Sequence, residues 1–172
     1  MVQLNLEPCQ AADILQAAIS ARQTLAAERG IDLQITLPPP GMVVSCDRPR
    51  MELALANLLD NAIKFTPSGG KVHAGVQVEA GEISLWVKDN GPGIQPEDLS
   101  HVFERFYRGK DRNVPGSGLG LAIVKSVVEL HQGQVEITSL PGQGACVSIR
   151  LPLFKYEIPS PTLPKPVPGF SR

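Results

Sequence analysis

No stretch of this sequence is apolar for long enough to cross a bilayer, and Met1-Val2-Gln3-Leu4-Asn5 lacks the basic and apolar regions of a secretory signal. The expectation is a cytoplasmic domain with no membrane contact of its own, even if a longer parent protein is anchored. Cysteine is scarce. Cys9, Cys46 and Cys146 are far apart, odd in number, and form no CxxC or Cys/His ligand pattern, which argues against a disulfide framework or a zinc ribbon. Charge of one sign is missing too. Against 17 Asp plus Glu stand 16 Lys plus Arg, a net charge of -1, so there is no electrostatic footprint for nucleic acid. What is present, 42% hydrophobic and 19% charged residues among 172, fits a single globular domain with a sizeable core.

Along the chain, Ile14, Leu15, Ala18, Ile19, Ala21, Leu25 and Ala26 recur at helical spacing, which predicts one helix from Pro8 to Arg29 closed by Gly30. Ile31, Leu33, Ile35 and Leu37 alternate with polar residues as a strand does, until the run Pro38-Pro39-Pro40-Gly41 ends it. A short strand over 42–46 leads to Asp47, placed to cap a helix that carries Pro49 in its first turn and runs to Phe65. Two alternating runs, Val72 to Val78 and Ile83 to Val87, should pair as an antiparallel hairpin. Residues 90–118 form a long connection rich in Gly, Pro and charge, of the kind that is functional or disordered. A helix over 118–131, with Gly133 in its exit turn, and two more alternating runs, Val135/Ile137 and Ala145 to Leu151, complete the pattern. Beyond Phe154 the composition turns proline-rich, and 156–172 is expected to be an extended or disordered tail.

Three features carry chemistry. On a helical wheel Asn57, Asp60, Asn61 and Lys64 fall within an arc of about 100°, opposite Leu55, Leu58, Leu59, Ala62 and Ile63. Such a face suits Mg²⁺ through oxygen and phosphate through Lys⁺, and equally suits plain solvent. Asp89-Asn90-Gly91-Pro92-Gly93 ends a predicted strand, where a carboxylate can accept from an exocyclic amine such as that of adenine, or merely start a turn. Gly116-Ser117-Gly118-Leu119-Gly120 opens a helix whose N-terminal amides suit an anion. No strand precedes it, so neither a Walker loop nor a dinucleotide fingerprint is supported.

Taken in order, these segments resemble the ATP-binding domain of sensor histidine kinases, a branch of the superfamily that includes gyrase, Hsp90 and MutL. Residues 57–67 are similar to its N-box and 89–94 to its first glycine box. Residues 103–108 resemble the F-box, 116–125 the second glycine box, and 142–144 the last. Five ordered motifs over 47–152 are far more specific than any one of them. The resemblance implies an α/β two-layer sandwich of the Bergerat type, a mixed sheet with helices on one face and a mobile ATP lid over about 95–117, occupying 1–155. It also implies ATP and Mg²⁺ as cofactors. Asn61 would hold Mg²⁺ with Asn57 assisting, and Lys64 would approach the phosphates. Asp89 would read adenine in a pocket shaped by Gly91, Gly93 and Ile94. Gly116, Ser117, Gly118, Leu119 and Gly120 would present amides to the phosphates, Phe103 and Phe106 would anchor the lid, and Arg108 would lie among its phosphate-facing cations.

The expected reaction is transfer of the γ-phosphate to a histidine on a helical dimerisation domain, with a response regulator downstream. In the superfamily's hydrolases a glutamate aligned with Asn57 activates water, and an amide cannot take that proton. No histidine precedes His73, so the chain is not expected to phosphorylate itself. Two alternatives remain, a degenerate nucleotide-binding interaction module and an ATP hydrolase of the same superfamily. One departure stands out: where the family usually has Thr and, two residues on, an aromatic, this chain has Ala145 and Val147.

Overall fold

The computed structural model describes residues 3–109 and 115–153. The proline-rich tail expected over 156–172 and the basic residues Lys110 and Arg112 lie outside them. The main sheet has five strands in the order β2-β4-β5-β7-β6, formed by β2 (Asp32–Thr36), β4 (Lys71–Glu79), β5 (Glu82–Asp89), β6 (Gln134–Ser139) and β7 (Ala145–Pro152). β2 runs parallel to β4 and the other pairs are antiparallel, so the sheet is mixed. A two-stranded sheet joins β1 (Glu7–Gln10) to β3 (Val43–Cys46).

One face of the main sheet carries α1 (Ala11–Ser20), α3 (Arg48–Phe65) and α5 (Gly120–Leu130), with α3 between the other two. Period-two alternation aims Val72, Ala74, Val76, Ile83, Leu85, Val87, Ile149 and Leu151 at these helices, where they are buried. Their partners are Met51, Leu55, Leu59 and Ile63 of α3, Ile14 and Leu15 of α1, and Val124 and Val128 of α5. Among the described residues no helix is long and apolar enough to cross a membrane.

α3 starts where the sequence places its cap: the Asp47 carboxylate accepts from Arg50 N at 3.3 Å, and Pro49 lies in the first turn. The same carboxylate accepts from Asn5 N at 3.1 Å, and these amide donors, the Asn5 one first, hold it below the usual carboxylate range.

The N-terminal segment departs from expectation. The single helix over 8–29 is a strand and two helices, β1, α1 and α2 (Gln23–Glu28). Pro8 cannot continue a helical hydrogen-bond ladder but is tolerated in a short edge strand, where Cys9 turns into the core opposite Val44. The break at Ala21-Arg22 has no glycine or proline to announce it. There the Arg22 guanidinium makes a two-point contact with Asp60 on α3, at 3.1 and 3.2 Å. At the far end of α5 Gly133 lies in the exit turn, its N donating to Val128 O at 3.0 Å, and the left-handed residue there is Gln132 (φ 57°).

Candidate nucleotide site

The residues singled out in sequence converge on one end of the helical layer, between α3, the C-terminal end of β5 and the N-terminus of α5. Asp89 ends β5. Its Oδ1 accepts from Gly91 N at 2.9 Å and Ala145 N at 3.3 Å, which fixes the carboxylate and leaves Oδ2 without a protein partner among the described residues. Burial raises its pKa above the usual carboxylate range, opposed by those two amides. The backbone around Asp89 is packed so tightly that glycine is required at two positions. A side chain at Gly93, where φ is 72°, would collide with the Leu140 carbonyl, and one at Gly144, where φ is 79°, with the Asp89 carbonyl.

Two residues that sequence reading passed over complete this packing. Ser139 Oγ accepts from Ile94 N at 2.8 Å and donates to Gly144 O at 2.7 Å, tying the first glycine segment to the last. Asn90 Oδ1 accepts from Lys71 N at 2.7 Å and holds the turn to β4. A serine in an exposed-looking β6 terminus carries no sequence signal of this role.

Across the site, Asn57 Nδ2 donates to Leu53 O at 2.9 Å, so its Oδ1 faces Gly120, whose added Cβ would lie 3.3 Å from that oxygen. The Asn61 amide lies 3.6 Å from the same point. Both amides therefore border the first residue of α5, where helix N–H groups point outward without intrahelical partners. Lys64 Nζ lies against Gly116, where an added Cβ would displace the lysine's flexible end, and stands 4.9 Å from the Phe65 ring centroid. Burial first, then Arg108 and Arg29, push the Lys64 pKa down. A cation held near other cations is a setting that an incoming polyanion relieves.

The segment expected to form the lid begins with α4 (Pro96–Leu99). Tyr107 OH donates to Asp98 Oδ1 at 2.5 Å, and that bond with burial pushes the phenol up to about 12. Phe106 N donates to Gly118 O at 2.9 Å, joining that segment through backbone to the glycine loop that enters α5. Phe103 is half-buried, but Phe106 is 71% exposed with φ of 64°, so its ring does not anchor the lid. Of the helical arc, Asp60 is engaged by Arg22 at 3.1 Å. Ser117 and Leu119 lie on the loop entering α5, and Leu119 O accepts from Ile123 N at 2.9 Å.

Residues 46–155 match the family described as "Histidine kinase-, DNA gyrase B-, and HSP90-like ATPase". The fold matches a solved mycobacterial sensor histidine kinase, MprB, with a TM-score of 0.75 and 34% identity, over 86% of this chain and 97% of that one. The chain belongs to the ATP-binding catalytic domains of sensor histidine kinases. This kinase domain is 38% identical to the sensor-like histidine kinase SenX3 of Mycobacterium tuberculosis over 86% of its own length and 37% of SenX3. It is 36% identical to the histidine protein kinase DivJ of Caulobacter vibrioides, over 83% of its own length and 24% of DivJ. The chain thus spans only a quarter to two fifths of these curated relatives. Full-length ShkA, solved in complex with AMPPNP, superposes with a TM-score of 0.79 at 30% identity, covering 88% of this chain and 32% of ShkA.

Proposed function

We propose that this kinase domain, about residues 1–155, binds ATP with Mg²⁺ between α3, Asp89 and the lid over about 95–117, and passes the γ-phosphate to a histidine on a separate dimerisation domain. A response regulator would receive it from there. The observation that carries the reading is Asp89: a buried carboxylate, fixed through Oδ1 by two backbone amides, with Oδ2 left to accept one further donor. The exocyclic amine of adenine supplies such a donor, in a pocket walled by Gly91, Gly93 and Ile94. The solved ShkA complex with AMPPNP, an ATP analogue, on a similar fold supports it.

The phosphates would then reach Lys64, with Arg108 nearby, and the amides of Gly116, Ser117, Gly118, Leu119 and Gly120. Among the described residues no three His, Cys, Asp or Glu side chains cluster as a metal cage. A cation would instead be shared between the amide oxygens of Asn61 and Asn57 and the triphosphate itself, since Mg²⁺ at phosphoryl-transfer sites takes few protein ligands beside the substrate's phosphates. When bound, the ion would neutralise charge on the phosphate oxygens. The protein's own share is placement and charge stabilisation. Asn57, whose amide is committed to Leu53 O, has no basicity with which to activate water.

Calorimetric titration with a non-hydrolysable ATP analogue, with and without Mg²⁺, beside Asp89→Asn, tests this reading. Saturable Mg²⁺-dependent binding that Asp89→Asn weakens on the order of tenfold to a hundredfold is expected. No binding under any condition would mark the site as degenerate.

A further inference from the structure

The two ends of the proposed nucleotide site sit on separate stretches of chain. Asp89 and the first glycine segment are held to the sheet: Ile94 N donates to Ser139 Oγ at 2.8 Å, and Gly93 is pressed against the Leu140 carbonyl. The glycine loop that opens α5 has no strand ahead of it to fix its position. What reaches it from the sheet side is α4 and the residues that follow α4.

Asp98 of α4 is buried, at 9% exposure, and a carboxylate is seldom placed so without a donor. Its donor is Tyr107, whose OH lies 2.5 Å from Oδ1. The Tyr107 ring stacks on His101, with centroids 5.4 Å apart at 28°, and Tyr107 N donates to Glu104 O at 3.3 Å. Directly before it, Phe106 has φ of 64°, a left-handed backbone that a bulky residue keeps only where its surroundings impose it. Those surroundings are Tyr107 on one side and Gly118 on the other. Phe106 N donates to Gly118 O at 2.9 Å, and a side chain at Gly118, where φ is 71°, would meet the Phe106 and Tyr107 backbone at 2.8 Å. Contacts thus run without a break from the sheet through Ile94, Asp98, Tyr107 and Phe106 to Gly118. The hydroxyl–carboxylate bond is the one link among them made between two side chains.

We infer that Asp98 and Tyr107 are positioning residues for the nucleotide site: their bond is a strut that holds the glycine loop at a set distance from Asp89. The amides of Gly118, Leu119 and Gly120 then meet the phosphates while the carboxylate holds adenine. The strut has this purpose only if nucleotide binds as proposed above. Neither of its side chains touches the nucleotide. Backbone amides cannot be re-aimed by rotating a side chain, and a shift of about 1 Å takes a hydrogen bond out of range, so phosphate binding depends on where the loop is held. Adenine recognition lies on the sheet side of the strut and does not depend on it.

Tyr107→Phe removes the hydroxyl and keeps the ring on His101. Beside the native chain it is titrated with a non-hydrolysable ATP analogue by calorimetry and with adenosine by ligand-detected NMR, once far-UV circular dichroism has shown the fold kept. Analogue affinity should fall about tenfold, while adenosine affinity should change by less than about twofold. Asp98→Asn, whose amide oxygen still accepts from Tyr107, should bind the analogue within about threefold of the native chain. Asp98→Leu should lose as much as Tyr107→Phe, and the two together no more than either alone. Without nucleotide, the Phe106 amide should exchange with solvent several-fold faster in Tyr107→Phe than in the native domain. Equal analogue affinity in the native chain and Tyr107→Phe would overturn the inference, as would unchanged exchange at Phe106. So would an equal loss for analogue and adenosine, which is what a merely structural role predicts. A native chain that binds neither ligand would overturn the nucleotide reading itself, and the strut with it.

Discussion

Asp89 ties the backbone together through Oδ1 and, in the function proposed here, reads adenine through Oδ2, and these two tasks pull its protonation in opposite directions. Burial raises its pKa, so ionisation costs the unliganded fold some stability. Stability contributed by the proton is present at low pH and is lost as pH rises from the ordinary carboxylate range through the raised folded value. Adenine recognition needs the opposite state, because a protonated Oδ2 has no reason to accept from an amine. Analogue affinity, measured by titration at several pH values, should therefore fall as pH drops through that raised value. Asp89→Asn should show a weak and flat profile, since its amide nitrogen meets the adenine amine donor to donor. Thermal unfolding should find the unliganded variant no less stable than the native domain at neutral pH, because asparagine Oδ1 still serves Gly91 and Ala145. A second residue-scale expectation concerns Ala145, whose N–H already supports Asp89. Ala145→Thr places a hydroxyl beside the adenine acceptor and should tighten analogue binding by about 1 kcal/mol, roughly fivefold, in the same calorimetric assay. An unchanged or weaker affinity would mean that the hydroxyl finds no partner there.

At the scale of elements, the two helices that border the site are joined at their distant ends by His131. Its Nε2 accepts from Asp47 N at 2.9 Å, and its Nδ1 donates to Val127 O at 2.7 Å, with the residue 8% exposed. The start of α3 and the end of α5 are thereby locked together. His131→Ala orphans the Asp47 amide in the interior and should lower stability by about 1–3 kcal/mol in urea unfolding. His131→Gln, retaining an acceptor, should recover part of that loss. No local signal in the sequence names Asp47 as the partner of His131, 84 residues away. What was legible were elements whose pattern is set locally. The β4–β5 hairpin showed its alternation, and α3 showed cap, proline and apolar stripe together. What was not legible depended on distant partners: β1, which pairs through four residues with β3, and the α1–α2 break, which Arg22 fills by reaching α3. Similarly, Asp89 and the glycine segments were visible as motifs because backbone geometry demands those residues. Ser139 was not, since any small polar residue at a strand end looks the same, and Phe106 looked like an anchor only because aromatic residues usually are buried.

For the whole molecule, the sheet separates the candidate site from the only histidine on a regular strand. His73 lies on the outer face, edge-on to Trp86 and bonded to Thr36, while Asn61 and Lys64 stand in the helical layer on the other side. In-line phosphoryl transfer needs the nucleophile within reach of the γ-phosphate, and no small motion carries a side chain through a five-stranded sheet. His131 is buried with both ring nitrogens committed, and His101 is engaged with Glu104 and stacked on Tyr107. Incubated alone with γ-labelled ATP, the chain should therefore acquire no phosphohistidine. When a histidine-bearing dimerisation domain of the kind the proposed function calls for is supplied in trans, acid-labile and alkali-stable label should appear on that domain's histidine. Asp89→Asn should abolish it without altering the acceptor. Label on His73 or His101 of this chain would contradict the placement of the nucleotide. Rapid phosphate release without any acceptor would move the domain toward the hydrolases, despite the amide at Asn57.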